Sequence, residues 1–296
     1  TNIFIIERIN MRVLLTGSNG QLGHDFQRIF DNLSIKYVAT DYKELDITNE
    51  VSLEKFFEEK NDFDIIINCA AYNDVDKAEN DIEFCNKLNS KAPQKLAEIS
   101  KKIGAVFVTY STDFVFNGLD KKPLNENDKP NPLSIYGKSK YEGEKAVLNI
   151  YEKSFVIRTS WVFGIANNNF NKQVINWSKT KQELNIVDDQ VSVPTYSKDL
   201  AEFSWKLINT GKYGLYHITN NGECSKYDQA KYVLEKIGWT GSLGKAKTKD
   251  FNLPAKRAEY SKLSSEKAEK VIGEKIPDWK NAIDRFLEEM KEKGEL

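Results

Sequence analysis

Short apolar runs rich in β-branched residues alternate along the chain with longer stretches of helical periodicity. The apolar runs cover residues 12–16, 36–40, 64–68, 105–109, 155–158 and 184–187. Continuous apolar runs of this length are typical of parallel strands that are buried on both faces of a sheet. Their alternation with helices predicts successive βαβ units, and therefore an α/β fold built on a doubly wound parallel sheet.

The pattern loosens after about residue 185. It leaves an apolar run at 214–219, a helix over 225–237, a lysine-rich loop near 244–249 and a closing helix that starts near residue 277. We therefore expect residues 11–165, with part of 185–220, to form the sheet domain, and residues 166–296 to form most of a smaller, discontinuous C-terminal α/β lobe. Residues 1–10 precede a methionine-led strand start, so we interpret them as an N-terminal extension outside the fold. A cleft between two lobes is a common place for a ligand.

The amino-acid composition argues against some classes of binding partner. The 43 Lys and Arg residues nearly balance the 44 Asp and Glu residues, so no overall positive field would collect nucleic acid or an anionic membrane surface. No apolar run approaches the roughly 20 residues that span a bilayer, and we expect a cytoplasmic protein. The three cysteines lack a C-x-x-C spacing and are interpreted as reduced thiols rather than metal ligands.

A glycine-rich turn joins the first strand to the first helix. Gly17, Gly20 and Gly23 follow one another at intervals of three residues. The first glycine allows a tight turn, the second lets the backbone approach a pyrophosphate, and the third permits close packing of the helix against the sheet. The helix N-terminus offers unpaired N–H groups to the anion. The order of strand, turn and helix predicts a Rossmann-type site, which makes residues 11–165 the expected NAD(P)-binding domain.

Residues at the ends of the next two strands are candidates for the adenosine half of the cofactor. Asp41 is placed to accept hydrogen bonds from a ribose 2′-hydroxyl, which favours NAD. Lys43 could instead pair with a 2′-phosphate, so NADH and NADPH both stay open. An acid followed by an apolar residue can flank an adenine. Small residues let a cofactor lie against the end of a strand, although small residues at such positions can also be there only for packing. These further candidates are Asp46, Ile47, Ala70 and Ala71.

Tyr136 and Lys140 are the candidate acid–base residues. On a helix, a separation of four residues places both side chains on one face. The ammonium is then expected to lower the pKa of the phenol, with further help from an oxidised nicotinamide ring. When hydride reaches a carbonyl carbon, Tyr136 would donate its proton to the carbonyl oxygen. A solvated helix with an extended lysine is the structural alternative.

Hydroxyl groups follow the fourth apolar run. Ser111 and Thr112 stand where a central strand ends, which is the edge at which open α/β sheets bind ligands. Thr112 is therefore a candidate to donate a hydrogen bond to the substrate carbonyl. Turn formation is the alternative, because both residue types often close loops.

Five longer segments can be compared as wholes. They are VDKAE at 75–79, STDFVFNG at 111–118, YGKSKYEGE at 136–144, RTSWVFG at 158–164 and DQVSVPT at 189–195. In this order they resemble the dTDP-4-dehydrorhamnose reductase family, which is part of the extended short-chain dehydrogenase/reductase superfamily. The resemblance runs from about Met11 to the final helix, and segments in register over that length are far more specific than any single motif.

The resemblance implies a reaction and a set of site residues. The reaction is reduction of a sugar nucleotide at its 4-keto group by NADPH or NADH, which converts dTDP-4-dehydro-L-rhamnose to dTDP-L-rhamnose. Tyr136 would be the proton donor, Lys140 its pKa partner and a contact of the cofactor ribose, and Thr112 the partner of the carbonyl. The implied substrate contacts are Thr112, Asp113, Trp161 and Arg257. The implied cofactor contacts are Gly20, Gln21, Leu22, Asp41, Asp46, Ile47, Ala71, Tyr72 and Asn73.

The chain also departs from the family pattern. Phe114 stands where a tyrosine is usual, and Ala258 stands where a proline is usual. A related nucleotide-sugar epimerase or dehydratase, or a non-catalytic cofactor-binding regulatory subunit, are the alternative functions. Mg²⁺ has been associated with the family, but no carboxylate cluster here has octahedral spacing, so we predict no metal site. A homodimer is compatible with the resemblance, and the sugar nucleotide is the expected partner.

Overall fold

The structure is a computed structural model that describes residues 11–296. The predicted extension over 1–10 lies outside the described residues. The strands are β1 (Arg12–Thr16), β2 (Lys36–Thr40), β3 (Ile65–Asn68), β4 (Val106–Thr112), β5 (Ser154–Thr159), β6 (Val162–Phe163), β7 (Glu183–Val187), β8 (Val191–Ser192), β9 (Thr195–Tyr196), β10 (Gly214–His217), β11 (Cys224–Ser225) and β12 (Ser242–Ala246). The helices are α1 (Gln21–Asn32), α2 (Glu50–Glu59), α3 (Ile82–Asn86), α4 (Ala92–Ile103), α5 (Ile135–Ile150), α6 (Phe170–Thr180), α7 (Ser197–Ile208), α8 (Lys226–Lys236), α9 (Glu266–Ile272) and α10 (Trp279–Glu292).

Six parallel strands form the central sheet in the order β10-β5-β4-β3-β1-β2. The register aligns Thr16 of β1 with Asn68 of β3, and Asn68 with Thr109 of β4. The strand order reverses between β1 and β3, and open α/β sheets bind ligands in the crevice outside the carboxyl ends at such a switch point. The predicted α/β fold with a Rossmann-type doubly wound parallel sheet is confirmed.

Helices cover both faces of this sheet. Along β1, Val13 and Leu15 pack with α1, α7 and α9 on one face, whereas Leu14 packs with α2, α4 and α5 on the other. Alternate residues of a strand point to opposite faces, so two helical layers are needed to bury all three side chains. This packing explains why the strand sequences are almost continuously apolar.

The remaining elements form a smaller C-terminal lobe with a second apolar core. Side chains of α6, α8 and α10 meet those of β6, β7 and β9 in this core. Within residues 11–296, no helix is long and apolar enough to cross a membrane.

Two expectations about the later part of the chain are wrong. The run at 184–187 is a strand, but β7 lies outside the central sheet and pairs in parallel with β12. Leu184 and Ile186 are buried while Glu183 and Asn185 are exposed, an alternation that suits a strand with one solvated face. The predicted loop near 244–249 contains part of β12 and a 3₁₀ turn at Thr248–Asp250.

Candidate active site

Close backbone contacts shape the glycine turn after β1. Gly17 has a φ of +66°, and a Cβ atom added there would lie 2.4 Å from the Ala70 nitrogen. A Cβ atom at Gly23 would lie 2.4 Å from the Gly17 carbonyl oxygen, which also accepts the Gly20 N–H at 3.1 Å. Only glycine allows the turn to lie so close to the end of β3. No side chain caps α1, so its N-terminal N–H groups face the crevice.

One cavity of 220 Å³ lies beside this turn, between the ends of β1, β2 and β3. The candidate residues in its wall are Gly17, Gly20, Asp41, Asp46, Ile47, Ala70, Ala71 and Asn73. The Asp41 carboxylate accepts the Asn19 N–H at 3.0 Å, and the Asp41 N–H donates to the Glu44 carboxylate at 3.0 Å. Asp46 accepts from the Thr48 N–H and hydroxyl at 2.9 and 2.7 Å. The Asp41 carboxylate is therefore fixed at the carboxyl end of β2.

A second cavity of 340 Å³ continues from the first and shares Gly20, Ala71 and Asn73 with it. Its wall brings together Gln21, Leu22, Gly23, Thr112, Asp113, Tyr136, Lys140 and Trp161. The two cavities form one groove along the switch point, with the glycine turn between the adenosine-side residues and the acid–base pair. The backbone contacts at Gly17 and Gly23 keep the turn tight, and the uncapped start of α1 borders the cavity, so the residues present fit the pyrophosphate of a nicotinamide dinucleotide.

Helix α5 positions Tyr136 and Lys140. Ser134 caps the helix by accepting the Gly137 N–H at 3.1 Å. A Cβ atom at Gly137 would lie 2.3 Å from the Phe114 carbonyl oxygen, so glycine allows α5 to approach the segment after β4. The Phe114 ring packs edge-on against the Tyr136 ring, with centroids 5.5 Å apart. The first turn of α5 is thus held against the strand end that carries Thr112.

Burial dominates the electrostatics of the pair. Burial raises the pKa of the Tyr136 phenol well above its ordinary value, while the Thr112 hydroxyl acts in the opposite direction. Burial lowers the pKa of Lys140 to about 8, although the Glu144 carboxylate acts to raise it. The expectation of a lowered Tyr136 pKa is therefore wrong for the protein alone, because loss of water disfavours the phenolate. At neutral pH, Tyr136 carries its proton and Lys140 is mostly charged.

The Asp113 carboxylate forms a hydrogen bond with the Thr112 hydroxyl. This carboxylate is fully buried and accepts hydrogen bonds from the hydroxyls of Ser192 at 3.0 Å, Ser261 at 2.5 Å and Thr112 at 3.2 Å. The Thr112 hydroxyl oxygen also accepts the Phe114 N–H at 3.2 Å. These contacts link β4 to the C-terminal lobe. Asp113 borders the cavity, but its oxygens are already used by protein hydroxyls.

Trp161 also borders this cavity and lies between β5 and β6. Its φ is +44°, in the left-handed region that non-glycine residues rarely occupy. The Lys226 ammonium lies 3.6 Å from the centroid of the Trp161 ring. This cation was not predicted from the sequence, because no local motif links a lysine of α8 to a tryptophan 65 positions earlier.

Arg257 shares a narrow cavity with Trp161, next to the groove. Its guanidinium donates to both carboxylate oxygens of Asp76, at 3.0 and 2.5 Å, and Ala255 donates its N–H to the same carboxylate at 3.1 Å. Arg257 also borders a larger open cavity of 940 Å³ whose wall contains Lys247, Lys249 and other polar residues. The side chain predicted to meet a diphosphate thus lies outside both groove cavities, shares a narrow cavity with Trp161, and is paired with Asp76.

The Tyr72 side chain lies outside the groove, although it packs against Tyr136. This side chain packs with Ala78, Cys85 and Tyr136, and its hydroxyl donates to Asp81 at 3.2 Å. Tyr72 is in the wall of neither groove cavity. The roles of the residues that line the groove stay predictions.

Two asparagines that sequence reasoning missed cover the glycine turn. Asn167 donates to the Asn19 carbonyl oxygen at 2.7 Å, and Asn169 donates to the Gln21 side chain at 3.1 Å. Each contact joins residues 148 positions apart, so no local pattern predicts them. They place the C-terminal lobe over the predicted pyrophosphate site.

Metal-ligand clusters are absent from the part of the chain that the structure describes. No group of three or more His, Cys, Asp or Glu side chains in residues 11–296 could hold a metal ion. Cys69, Cys85 and Cys224 are free thiols. The described residues therefore give no support for Mg²⁺.

Comparisons with known proteins agree with this geometry. The spore coat polysaccharide biosynthesis protein SpsK of Bacillus subtilis is 36% identical over 278 residues, covering 94% of this chain and 97% of that protein. The dTDP-4-dehydrorhamnose reductase of Aggregatibacter actinomycetemcomitans is 36% identical over 288 residues, covering 92% and 97%. A crystal structure of dTDP-4-dehydrorhamnose reductase from Bacillus anthracis in complex with NADP has a TM-score of 0.90 and 36% identity, covering 94% of this chain and 99% of that one. The RmlD substrate binding domain family matches residues 11–292. The chain therefore belongs to this family, and the predicted resemblance to dTDP-4-dehydrorhamnose reductases is confirmed.

Proposed function

We propose that this chain reduces dTDP-4-dehydro-L-rhamnose to dTDP-L-rhamnose with NADPH or NADH. The observation that carries the proposal is the single groove in which a glycine turn, a Tyr–Lys pair and a strand-end threonine share one wall. The named relatives supply the substrate, because the groove alone is compatible with several ketosugars.

The chain's own residues would deliver the proton. A bound NADPH or NADH supplies the hydride. The Thr112 hydroxyl, which donates to Asp113 in the protein alone, would turn its proton to the sugar carbonyl, and Tyr136 would transfer its phenolic proton to the oxygen as negative charge develops there. The raised pKa of Tyr136 keeps the phenol protonated before reaction. The Lys140 ammonium would hold the cofactor ribose and stabilise the phenolate that remains.

The C-terminal lobe would hold the rest of the substrate. We assign residues 166–296 mostly to this substrate lobe and residues 11–165, with part of 185–220, to the cofactor domain. Trp161 would contact the deoxysugar, and Arg257 would meet the diphosphate because a guanidinium suits phosphate oxygens. Such a contact requires Arg257 to exchange or share its present partner, Asp76. Asp113 would act by holding Thr112 rather than by direct binding.

Other features of the protein belong to the same proposal. Asp41 at the ribose position favours NADH, whereas the relative from Bacillus anthracis binds NADP, so both cofactors belong in the assay. A homodimer and a cytoplasmic location stay predictions.

A cofactor-oxidation assay tests the function. The purified chain should oxidise NADPH or NADH, followed by absorbance, in equimolar amount with dTDP-4-dehydro-L-rhamnose. An epimerase or dehydratase would turn over without consuming cofactor, and a regulatory subunit would bind cofactor without turnover. Either result would contradict the proposal.

Two conservative variants test the assigned acid. Tyr136→Phe should lose at least about a hundredfold in kcat, the range typical of a general acid, while binding cofactor normally. Tyr141→Phe removes a phenol from the same helix outside the groove and should keep its turnover. Unchanged kcat in Tyr136→Phe would remove Tyr136 from the acid role.

A further inference from the structure

Lys226 is a cation held by aromatic rings at the edge of the C-terminal lobe core. It is the first residue of α8, after Ser225, which caps the helix. Its ammonium lies 3.6 Å from the Trp161 ring centroid and 4.5 Å from the Phe170 ring centroid, and it donates to the Gln229 side chain at 3.4 Å. A cation above the face of an indole is attracted by the negative charge of the ring face, most strongly where water is excluded.

Besides the two rings and Gln229, charged groups nearby act on this ammonium. Asp113 attracts the Lys226 ammonium, but the Asp113 carboxylate already accepts hydroxyls from Ser192 and Ser261. Arg257 repels it. Burial is the largest effect and lowers the pKa of Lys226 to about 7. The side chain therefore carries its charge mainly below about pH 7, and in that range its contact with the indole is a cation–π contact.

Trp161 borders two cavities of the groove. It is in the wall of the reaction cavity with Tyr136, and in the wall of a narrow neighbouring cavity with Phe114 and Arg257. Lys226 is in the wall of neither. The Trp161 carbonyl oxygen accepts the Thr195 N–H at 3.3 Å, which helps to hold its left-handed backbone. The cation therefore contacts the indole from outside both cavities.

We propose that Lys226 is a positioning residue for the sugar nucleotide, which holds the Trp161 indole from outside both cavities so that the indole meets the sugar ring. The identity of the sugar rests on the proposed function, whereas the contact between cation and indole does not. The attraction between a cation and a ring depends on orientation. An ammonium therefore fixes the tilt of the indole, whereas an apolar side chain of equal length would only fill the space. Loss of the charge should therefore weaken sugar binding more than it slows the chemical step.

Steady-state kinetics of Lys226→Met at about pH 6, where the parent lysine is charged, test this role. Methionine keeps most of the side-chain length and removes the charge. We expect KM for dTDP-4-dehydro-L-rhamnose to rise about tenfold, equivalent to about 1.4 kcal/mol, with kcat and the KM for NADPH changed less than about twofold. Lys226→Arg should recover most of the lost affinity, because a guanidinium also stacks on an indole. Equal KM values in Lys226→Met and the parent would overturn the proposal.

A double-mutant cycle separates positioning from a general structural effect. In a Trp161→Leu background, Lys226→Met should raise KM much less than in the parent, because no aromatic ring is left at position 161 for the cation to hold. Additive effects would refute the coupling. Lys280→Met is the matched control: Lys280 lies 5.5 Å from the Trp279 ring centroid in the same lobe, outside both cavities, and its removal should leave KM unchanged.

A binding measurement keeps this test independent of turnover. Intrinsic fluorescence is titrated with dTDP-L-rhamnose, at the same pH as the kinetics, in the parent, in Lys226→Met and in Trp161→Phe. The inference predicts about tenfold weaker binding in Lys226→Met, and a Trp161-dependent part of the emission that changes with the charge at residue 226. If the parent fails to reduce any ketosugar nucleotide, the proposed function fails, while the titration still decides the role of Lys226. Unchanged dTDP-L-rhamnose affinity in Lys226→Met would overturn the inference in either case.

Discussion

A buried ion pair fastens the helix of the acid–base residues to the central sheet. Arg158 of β5 donates from Nε to one Glu144 oxygen at 2.8 Å and from Nη2 to the other at 2.6 Å. The two side chains are only 2% and 3% exposed. Glu144 is one helical turn after Lys140, and its charge acts to raise the pKa of that lysine. We predict that Arg158→Met strongly destabilises the protein and also changes the pKa of Lys140.

The magnitude follows from the burial of both partners. Removing one member of a buried pair leaves an unpaired charge and costs about 3–5 kcal/mol. For a chain of this size, such a loss lowers Tm by roughly 5–10 °C. Replacing both partners by apolar residues avoids the unpaired charge, so Arg158→Met with Glu144→Met should recover at least about 2 kcal/mol of that loss.

Denaturant and thermal unfolding of the two single variants and the double variant measure these differences. The matched control is Lys145→Met, because Lys145 pairs with Glu142 at 2.8 Å on the same helix but at the surface. That change should alter the free energy of unfolding by no more than about 0.5 kcal/mol. A loss below about 1 kcal/mol in Arg158→Met, or a double variant as unstable as the sum of the single ones, would refute the reasoning.

Two further predictions concern cofactor binding. Burial lowers the pKa of Lys140 to about 8, so its ammonium is present below that pH and lost above it. We therefore expect kcat/KM for NADPH to fall above about pH 8. A pH profile in which Lys140→Arg retains the same alkaline fall would contradict this assignment. Gly23→Ala places a Cβ atom 2.4 Å from a backbone oxygen of the glycine turn and should weaken NADPH binding at least about tenfold by calorimetry. Gly104→Ala, whose Cβ atom would meet nothing within 4 Å, is its control: the φ of +79° at this position costs stability, but the NADPH Kd should be unchanged.

Features set by neighbouring residues were predictable from the sequence. The strands of the central sheet up to β5 follow from continuous apolar runs, and the glycine turn follows from three glycines between a strand and a helix. Tyr136 and Lys140 share a face of α5 because their separation is close to one helical turn. Each of these conclusions depends on contacts within a few residues, for which a sequence pattern is direct evidence.

Features set by distant partners were not predictable. Strand β7 carries the right residues for a sheet, but only its pairing with β12 decides which sheet it joins. The Arg257–Asp76 pair spans 181 positions, and a charge pattern alone identifies neither partner. The stacking of Lys226 on Trp161 likewise appears only when α8 packs against the segment after β5. The sequence indicates which residues carry the chemistry, and the long-range packing decides what each one faces.

The pKa of Tyr136 illustrates how this packing changes a mechanistic argument. From spacing alone, the lysine one turn away should make the phenol more acidic, as an enzyme that removes a proton requires. Burial instead raises the pKa of Tyr136, because the phenolate loses more solvation than nearby groups restore. A reductase needs the protonated form before reaction, but the raised pKa of Tyr136 narrows its difference from that of the sugar hydroxyl being formed, so the proton transfer depends on stabilisation of the phenolate that it leaves. The raised pKa is therefore consistent with a proton donor, and the charge of Lys140 is needed mainly after the transfer, when phenolate remains in the groove.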